Sequence, residues 1–366
     1  MRRARVAVAM SGGVDSLRAA ILLKEQGLEP FGVHMRLVPE YSDGQSESSR
    51  NRRQEEDLRG LASQVGIPFQ VVDLTEEFEN QVIAPFLASY LEGLTPNPCA
   101  VCNPRVKFRA LLKEAQRLGA GLLATGHYAQ VVPPERLNGR WGLRKARDRR
   151  KDQSYFLYGL TQDQLAVAAF PLGGTLKEEV LHWASGAGLE RRIPRESQEI
   201  CFIRTGTYLD FVRRRVDLSP YADRGPILDL EGKVLGEHKG IFAYTIGQRR
   251  GLGIASGAPY YVVDLDPASG TVTVGRAPDL YRRELTVSHV NWVSMECPDH
   301  PILCQVRIRN QHRPADALLS PLGRTEVKIR FREPQRAVTP GQAAVFYDGD
   351  LVLGGGTIRR LVHSSD

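Results

Sequence analysis

Apolar positions in the first half of the chain form short unbroken runs that alternate with longer stretches of helical spacing. Val6-Ala7-Val8-Ala9 lies within a strand predicted over Arg5–Met10, and Leu17–Gln26 carries apolar residues at helical intervals. The same alternation predicts strands over Pro30–Met35, Phe69–Asp73 and Gly121–Thr125, and helices over Gln54–Val65 and Val106–Leu118. Such strand–helix alternation is the pattern of an α/β fold with a doubly wound parallel sheet. Between these elements, Tyr41 to Arg53 is polar and charge-rich and reads as a mobile loop. After about Thr205 the pattern changes to short runs separated by turns: Gly236–Gly240, Tyr260–Leu265, Thr271–Gly275, Ile302–Ile308, Glu326–Phe331 and Ala343–Tyr347. These predict a small linking domain followed by a β-barrel. The expected division is 1–205, 206–278 and 279–366.

With 366 residues the chain is long enough for two or three domains. A net charge of +7 with 49 Lys and Arg favours an anionic partner. No apolar run has membrane-spanning length and no charged-then-apolar leader precedes the first strand, so a soluble, cytoplasmic protein is expected. Five cysteines, an odd number, suit a reducing compartment in which thiols do chemistry better than a disulfide scaffold.

The first candidate for chemistry is Met10-Ser11-Gly12-Gly13-Val14-Asp15-Ser16, between a strand and a helix. Glycines let the backbone approach an anion, serines donate hydroxyls, and the helix start offers free N–H groups. A Walker loop ends in a lysine that reaches the outer phosphates; here the next lysine, Lys24, lies too far along the helix. Asp15 would be repelled by bare phosphate but fits a bridging Mg²⁺. The string resembles the pyrophosphate loop of the ATP pyrophosphatase superfamily, which implies a site for the β and γ phosphates of ATP. Thr125-Gly126-His127 closes a predicted strand at the sheet edge where such folds bind ligands.

Cysteines form the second group. Thr95-Pro96-Asn97-Pro98-Cys99-Ala100-Val101-Cys102-Asn103 carries two prolines and reads as a rigid loop displaying its cysteines. Its Cys-x-x-Cys pair alone leaves zinc, a cluster, a redox pair and accident open. Cys201 follows Arg191, Arg192 and Arg195, whose guanidinium groups would favour a thiolate; a buried strand cysteine is the bland alternative. Cys297 and Cys304 read as ordinary buried thiols, and Lys145 to Gln153 is a basic run that suits either RNA or a solvated loop.

Taken together, SGGVDS, TPNPCAVCN, ATGHY, KDQSYFLY, ICFI, GQRRGLGI and TPGQAAVFY resemble, in this order, the motifs of the tRNA-specific 2-thiouridylases. The resemblance spans nearly the whole chain. It implies a pyrophosphate-loop domain, a small central domain and a C-terminal β-barrel, with 2-thiolation of the wobble uridine of tRNA as the activity. It further implies ATP contacts at Ala9, Met10, Ser11, Gly12, Gly13, Val14, Asp15, Ser16, Met35 and Gly126, with Cys102 as nucleophile and Cys201 as persulfide carrier. Contacts to tRNA are implied at Asn97, Pro98, Cys99, His127, Lys151, Asp152, Gln153 and Gln342, and at Arg309-Asn310, where the family often shows Arg-Tyr. ATP would adenylate the base, the persulfide would deliver sulfur, and a protein sulfur donor, a persulfide carrier or a cysteine desulfurase, would reload Cys201. Some relatives have Asp where this chain has Cys99. Three cysteines, Cys99, Cys102 and Cys201, leave an iron–sulfur cluster as the less favoured alternative to the persulfide. Rival readings are another adenylating ligase or amidotransferase of the superfamily, and a basic RNA-binding module whose loop has decayed.

Overall fold

Val6, Ala7 and Val8 are wholly buried in β1 (Arg5–Ala9), as in a strand covered on both faces. The computed structural model describes residues 4–38, 45–189, 200–203, 205–218 and 224–360. β2 (Glu29–Arg36), β3 (Phe69–Asp73) and β4 (Leu122–Thr125) are followed by a hairpin, β5 (Ala129–Val132) and β6 (Gly142–Lys145), and by the short β7 (Ala168–Ala169). Five of these make a parallel sheet ordered β3-β2-β1-β4-β7. Strand order reverses between β1 and β4, and the crevice at the carboxyl ends of strands at such a switch point is where open α/β sheets bind ligands. The loop at 10–13 and the turn at 126–127 both emerge there.

α1 (Val14–Glu25) turns Leu17, Ala20 and Leu23 into the core. The expectation of a mobile loop over Tyr41–Arg53 is corrected: α2 runs from Gln45 to Gln64, and only 41–44 of that stretch lie outside the described residues. A helix polar all round gives no periodic signal. Its tertiary anchors include Arg36, whose guanidinium bonds Glu55 at 2.8 Å, and the buried Leu58 and Leu61.

The cysteine segment needs a second correction. Only 95–97 lie outside a helix; Pro98–Cys102 is α-helical, Asn103–Leu111 continues with wider π-type turns, and Leu112–Arg117 returns to α. Asn97 caps this start by accepting the Ala100 N–H at 3.2 Å, and Pro98 sits at the first helical position, where its missing N–H costs nothing. A second proline, Pro104, cannot donate to the helix ladder, and the π-type turns begin around it. The helix predicted over Val106–Leu118 is thus the end of a longer one.

Past Arg224, β8 (Gly225–Leu228), β9 (Val234–His238), β10 (Tyr261–Asp266) and β11 (Thr271–Gly275) form a four-stranded sheet ordered β10-β11-β8-β9. β12 (Tyr281–Trp292), β13 (Ile302–Arg307), β14 (Ala315–Pro321), β15 (Glu326–Arg336), β16 (Ala343–Asp348) and β17 (Leu351–Ile358) close into an antiparallel barrel through a β12–β17 pairing. The barrel sheet also takes in the β5–β6 hairpin, joined at Leu351 opposite Arg144. One hydrophobic core therefore runs from Ala7 and Val33 in the parallel sheet to Tyr155, Val345 and Tyr347 beside the barrel. Gly355 is glycine because a Cβ there would lie 2.7 Å from Tyr158 Cδ2 and 2.8 Å from the Ala344 carbonyl oxygen. Among the described residues no helix is long and apolar enough to cross a membrane.

Candidate active site

Gly12, with φ at +92°, turns the chain from β1 into α1, a conformation that favours glycine. Gly13 stands at the N-cap with no side chain capping the helix, which leaves the first N–H groups of α1 available to an anion. Val14 is buried and anchors the turn, while Ser16 Oγ donates to the Gly13 carbonyl at 3.0 Å. Gly126 closes on this turn: a Cβ there would stand 2.9 Å from the Ser16 nitrogen and 3.0 Å from the Asp15 carbonyl carbon. The glycine expected to let a nucleotide approach is thus also required by the approach of β4's turn to the start of α1.

A cavity of about 430 Å³ opens at this switch point. Ala9, Met10, Ser11, Asp15 and Ser16 line it from the loop, Met35 from β2, Gly126 and His127 from the turn after β4, and Lys107, Gln153, Cys201 and Phe202 from farther along the chain. Asp15 does not stand alone. Lys177 Nζ lies 2.7 Å from both of its carboxylate oxygens, and Tyr128 donates its hydroxyl to Oδ1 at 2.8 Å. The lysine that the loop lacks is therefore supplied by tertiary folding, from 162 residues downstream. Lys24 instead bonds the carbonyls of Val65 and Gly66. Sequence reading missed Lys177 because nothing local marks it; its position opening the helix Lys177–Gly186 was the available signal.

His127 accepts or donates at Nδ1 with Thr125 Oγ1 at 2.7 Å and meets the Phe170 ring edge-on. Burial, and then the Lys107 ammonium, hold its pKa well below the ordinary histidine value, so the ring is neutral at pH 7. Gln153 exchanges two hydrogen bonds with the Tyr128 backbone, at 2.8 and 3.0 Å, and so ties its own segment to the residue that touches Asp15.

Cys201 is exposed at the cavity and Cys102 is buried. Burial pushes the Cys102 thiol up to about 12, and the Lys107 ammonium pulls the other way. Cys201 and Cys99 act electrostatically on Cys102, which places the three sulfurs in one neighbourhood. Among the described residues no group of three or more His, Cys, Asp or Glu side chains is arranged to hold a metal ion. Arg191, Arg192 and Arg195, expected to favour a thiolate at Cys201, lie outside the described residues. Cys304 is buried as expected, whereas Cys297 is half-buried. In an alkylation series with iodoacetamide at pH 7.5, Cys201 should be modified at least about tenfold faster than the buried, protonated Cys102. Labelling of Cys102 should rise as pH rises, because only the thiolate reacts; peptide mapping by mass spectrometry reads both sites.

Several residues expected to meet RNA serve the scaffold in this conformation. Asp152 is only 8 % exposed; it accepts from the Ala146 and Ser154 N–H groups and pairs with Arg307 at 3.1 Å. Gln342 donates to the Thr95 and Pro96 carbonyls at 3.0 and 3.3 Å, bracing the cysteine segment from the barrel. Arg309 bonds the Arg336 carbonyl, and Asn310 accepts from Arg307. Within the basic run, Arg147 and Arg150 pair with Glu179 and Glu178, Arg149 pairs with Asp350, and Lys145 donates to the Gly349 carbonyl. The run is thus largely neutralised by its neighbours, and Lys151 is half-buried.

Residues 4–205 match the family model described as tRNA methyl transferase HUP domain, 210–276 its PRC-barrel domain, and 282–358 an aminomethyltransferase beta-barrel domain. A tRNA-specific 2-thiouridylase MnmA from Geotalea uraniireducens is 46% identical over 369 aligned residues, covering 99% of this chain and 97% of the relative. Proteins of the same name from Caldanaerobacter subterraneus, 46% identical, and Syntrophotalea carbinolica, 47% identical, cover 98% and 96% of the chain and 98% of their own lengths. The chain belongs to the tRNA-specific 2-thiouridylase family. The family resemblance seen in the motifs, and the three-part fold it implied, both hold: a parallel-sheet HUP domain, a PRC-barrel domain and a closed barrel follow one another along the chain.

Proposed function

We propose that this protein converts the wobble uridine of tRNA to 2-thiouridine, using ATP to activate the base and a Cys201 persulfide to supply sulfur. The observation that carries the reading is the single cavity shared by Ser11, Asp15 and Ser16 of the phosphate loop and by Cys201, with Cys102 close enough to feel its charge. A cavity for nucleotide alone would give a ligase no use for these thiols.

The loop N–H groups and Ser11 would hold the β and γ phosphates, and Lys177 would add a cation beside them. Asp15 already accommodates a cation, so its carboxylate fits Mg²⁺, which when bound would supply further charge neutralisation to the leaving pyrophosphate. The uracil oxygen on carbon 2 attacks the α phosphorus and pyrophosphate departs, which makes that oxygen a good leaving group. The terminal sulfur of the Cys201 persulfide then bonds carbon 2, and AMP leaves with the oxygen. Cys102 attacks the Cys201 sulfur, the sulfur–sulfur bond breaks, and a Cys102–Cys201 disulfide remains. An external thiol must reduce this disulfide, and a protein donor must restore the persulfide, before the next cycle. Carbon 2 is unreachable within a stacked anticodon, so the base is extruded into the cavity. Asn97 to Cys99, His127, Lys151 and Gln153 remain candidate RNA contacts, while Asp152, Gln342, Arg309 and Asn310 support them through the bonds described above. ATP and tRNA are soluble reactants, and a cytoplasmic setting fits them.

The test is product analysis with unmodified tRNA, ATP and a persulfide source. AMP, pyrophosphate and 2-thiouridine in equal amounts are expected, and AMP should require tRNA. ADP as the product would overturn the reading, and AMP formed equally without tRNA would favour a ligase acting on another substrate.

A further inference from the structure

The motif Gly247-Gln248-Arg249-Arg250-Gly251-Leu252-Gly253 in the central domain has no part in the reaction above. Gln248 ties its head. The side-chain carbonyl accepts the Thr245 N–H at 3.2 Å, the amide donates to the Arg250 carbonyl at 3.1 Å, and its own backbone carbonyl accepts from Val262 at 3.0 Å. Gly247, Gly251 and Gly253 have φ values of +88°, +78° and +68°, so the loop follows a path that other residues would resist. On it Arg249 and Arg250 are both exposed. Among the described residues no hydrogen bond or ion pair engages either guanidinium, in contrast to the paired arginines at 147–150.

This loop stands next to the cysteine segment. Thr245 Oγ1 is 3.4 Å from Thr95 Oγ1, and Thr95 in turn donates its N–H to the Pro340 carbonyl. Gly247 packs on the same barrel segment: a Cβ at 247 would stand 3.0 Å from Ala337 Cβ. Arg336 lies over the Tyr261 ring, and its carbonyl accepts from Arg309. Contacts therefore run without a break from Arg309 through Arg336 and Ala337 to the loop that bears the two arginines.

We propose that Arg249 and Arg250 clamp backbone phosphates of the tRNA beside the target nucleotide, with Gln248 and the barrel segment 337–342 keeping the clamp in register with Asn97–Cys99. This rests on the tRNA reading given above. Adjacent like charges on a tied, glycine-bearing loop repel each other and have no counterion among the described residues, so their favourable partner is a polyanion. The planar guanidinium fork matches phosphate oxygens in pairs. Proximity to the cysteine segment selects the RNA backbone over an acidic peptide.

The experiment measures binding of an unmodified tRNA transcript, uridine at its wobble position, to the full-length protein by fluorescence anisotropy across a KCl series. Arg249→Ala with Arg250→Ala should flatten the slope of log K against log salt by about 1.4–1.8 and weaken binding about tenfold at ~0.15 M salt. ATP affinity and thermal melting should match the parent protein, since neither arginine touches the nucleotide cavity or the core. Gln248→Ala, which changes no charge, should weaken binding while preserving the slope. A double variant that melts normally and keeps the parent slope would overturn the clamp alone. Parent-like affinity in Gln248→Ala would overturn the role given to the tied loop. A parent protein that does not bind the transcript at any salt concentration would overturn the tRNA reading itself, and the clamp with it.

Discussion

Thiolated tRNA is expected to fall by at least about 10³-fold when either Cys102 or Cys201 is replaced by serine, while adenylation of tRNA continues. Serine keeps the size of the side chain but neither carries a persulfide nor breaks one. The two variants should fail at different points. Cys201→Ser has no acceptor and should take up no sulfur from the donor. Cys102→Ser can load Cys201 but cannot resolve it, so the protein should accumulate with one extra sulfur atom at Cys201, measurable by intact mass. Cys99→Ser is the control, expected to retain thiolation within about threefold; the sulfur of Cys99 is a neighbour of the pair and has no step in the persulfide route. An iron-containing parent protein, together with an inactive, iron-free Cys99→Ser variant prepared without air, would replace the persulfide route with a cluster.

The second large effect belongs to the loop. Asp15→Asn should lower adenylation by roughly 10²–10³, in the range seen when one preorganised charged group is removed from a site. The carboxylate holds Lys177 through both oxygens and also accepts from Tyr128, while the Lys177 side chain is only 16% exposed. An asparagine leaves that ammonium short of its counterion and leaves the cavity with one fewer group able to hold a divalent cation. The loss should appear in the rate of tRNA-dependent pyrophosphate release, with tRNA affinity preserved. Lys177→Met offers a comparison, because it removes the cation and keeps the carboxylate. Here the KM for ATP should rise, since a positive charge next to the phosphates is lost. Unchanged ATP kinetics in Lys177→Met would confine the lysine to a supporting role for Asp15.

The parallel sheet was legible in the chain because strands such as β1 are buried on both faces and must be apolar throughout, and because helices between them carry their own period. The phosphate loop was legible for a related reason: Gly12 needs a positive φ, so the turn writes its own signature. Elements stabilised from a distance were not legible. The start of α2 is polar all round, and the helix depends on anchors such as Arg36 and Glu55, which come from different elements. Proline at 96 and 98 suggested a loop, yet Asn97 caps a helix that Pro98 opens, and π-type turns accommodate a further proline at 104. Residue types settled which groups could do chemistry: a carboxylate in an anion cradle, cysteines beyond any structural need, and surplus arginines. Which of them face one another was decided by packing alone. Asp15 met a lysine 162 positions away, Asp152 turned inward to Arg307 at 3.1 Å, and Gln342 reached across from the barrel to hold the cysteine segment. Local patterns record burial and backbone conformation, whereas the partner of a charge or an amide depends on which distant surfaces a shared core brings into contact.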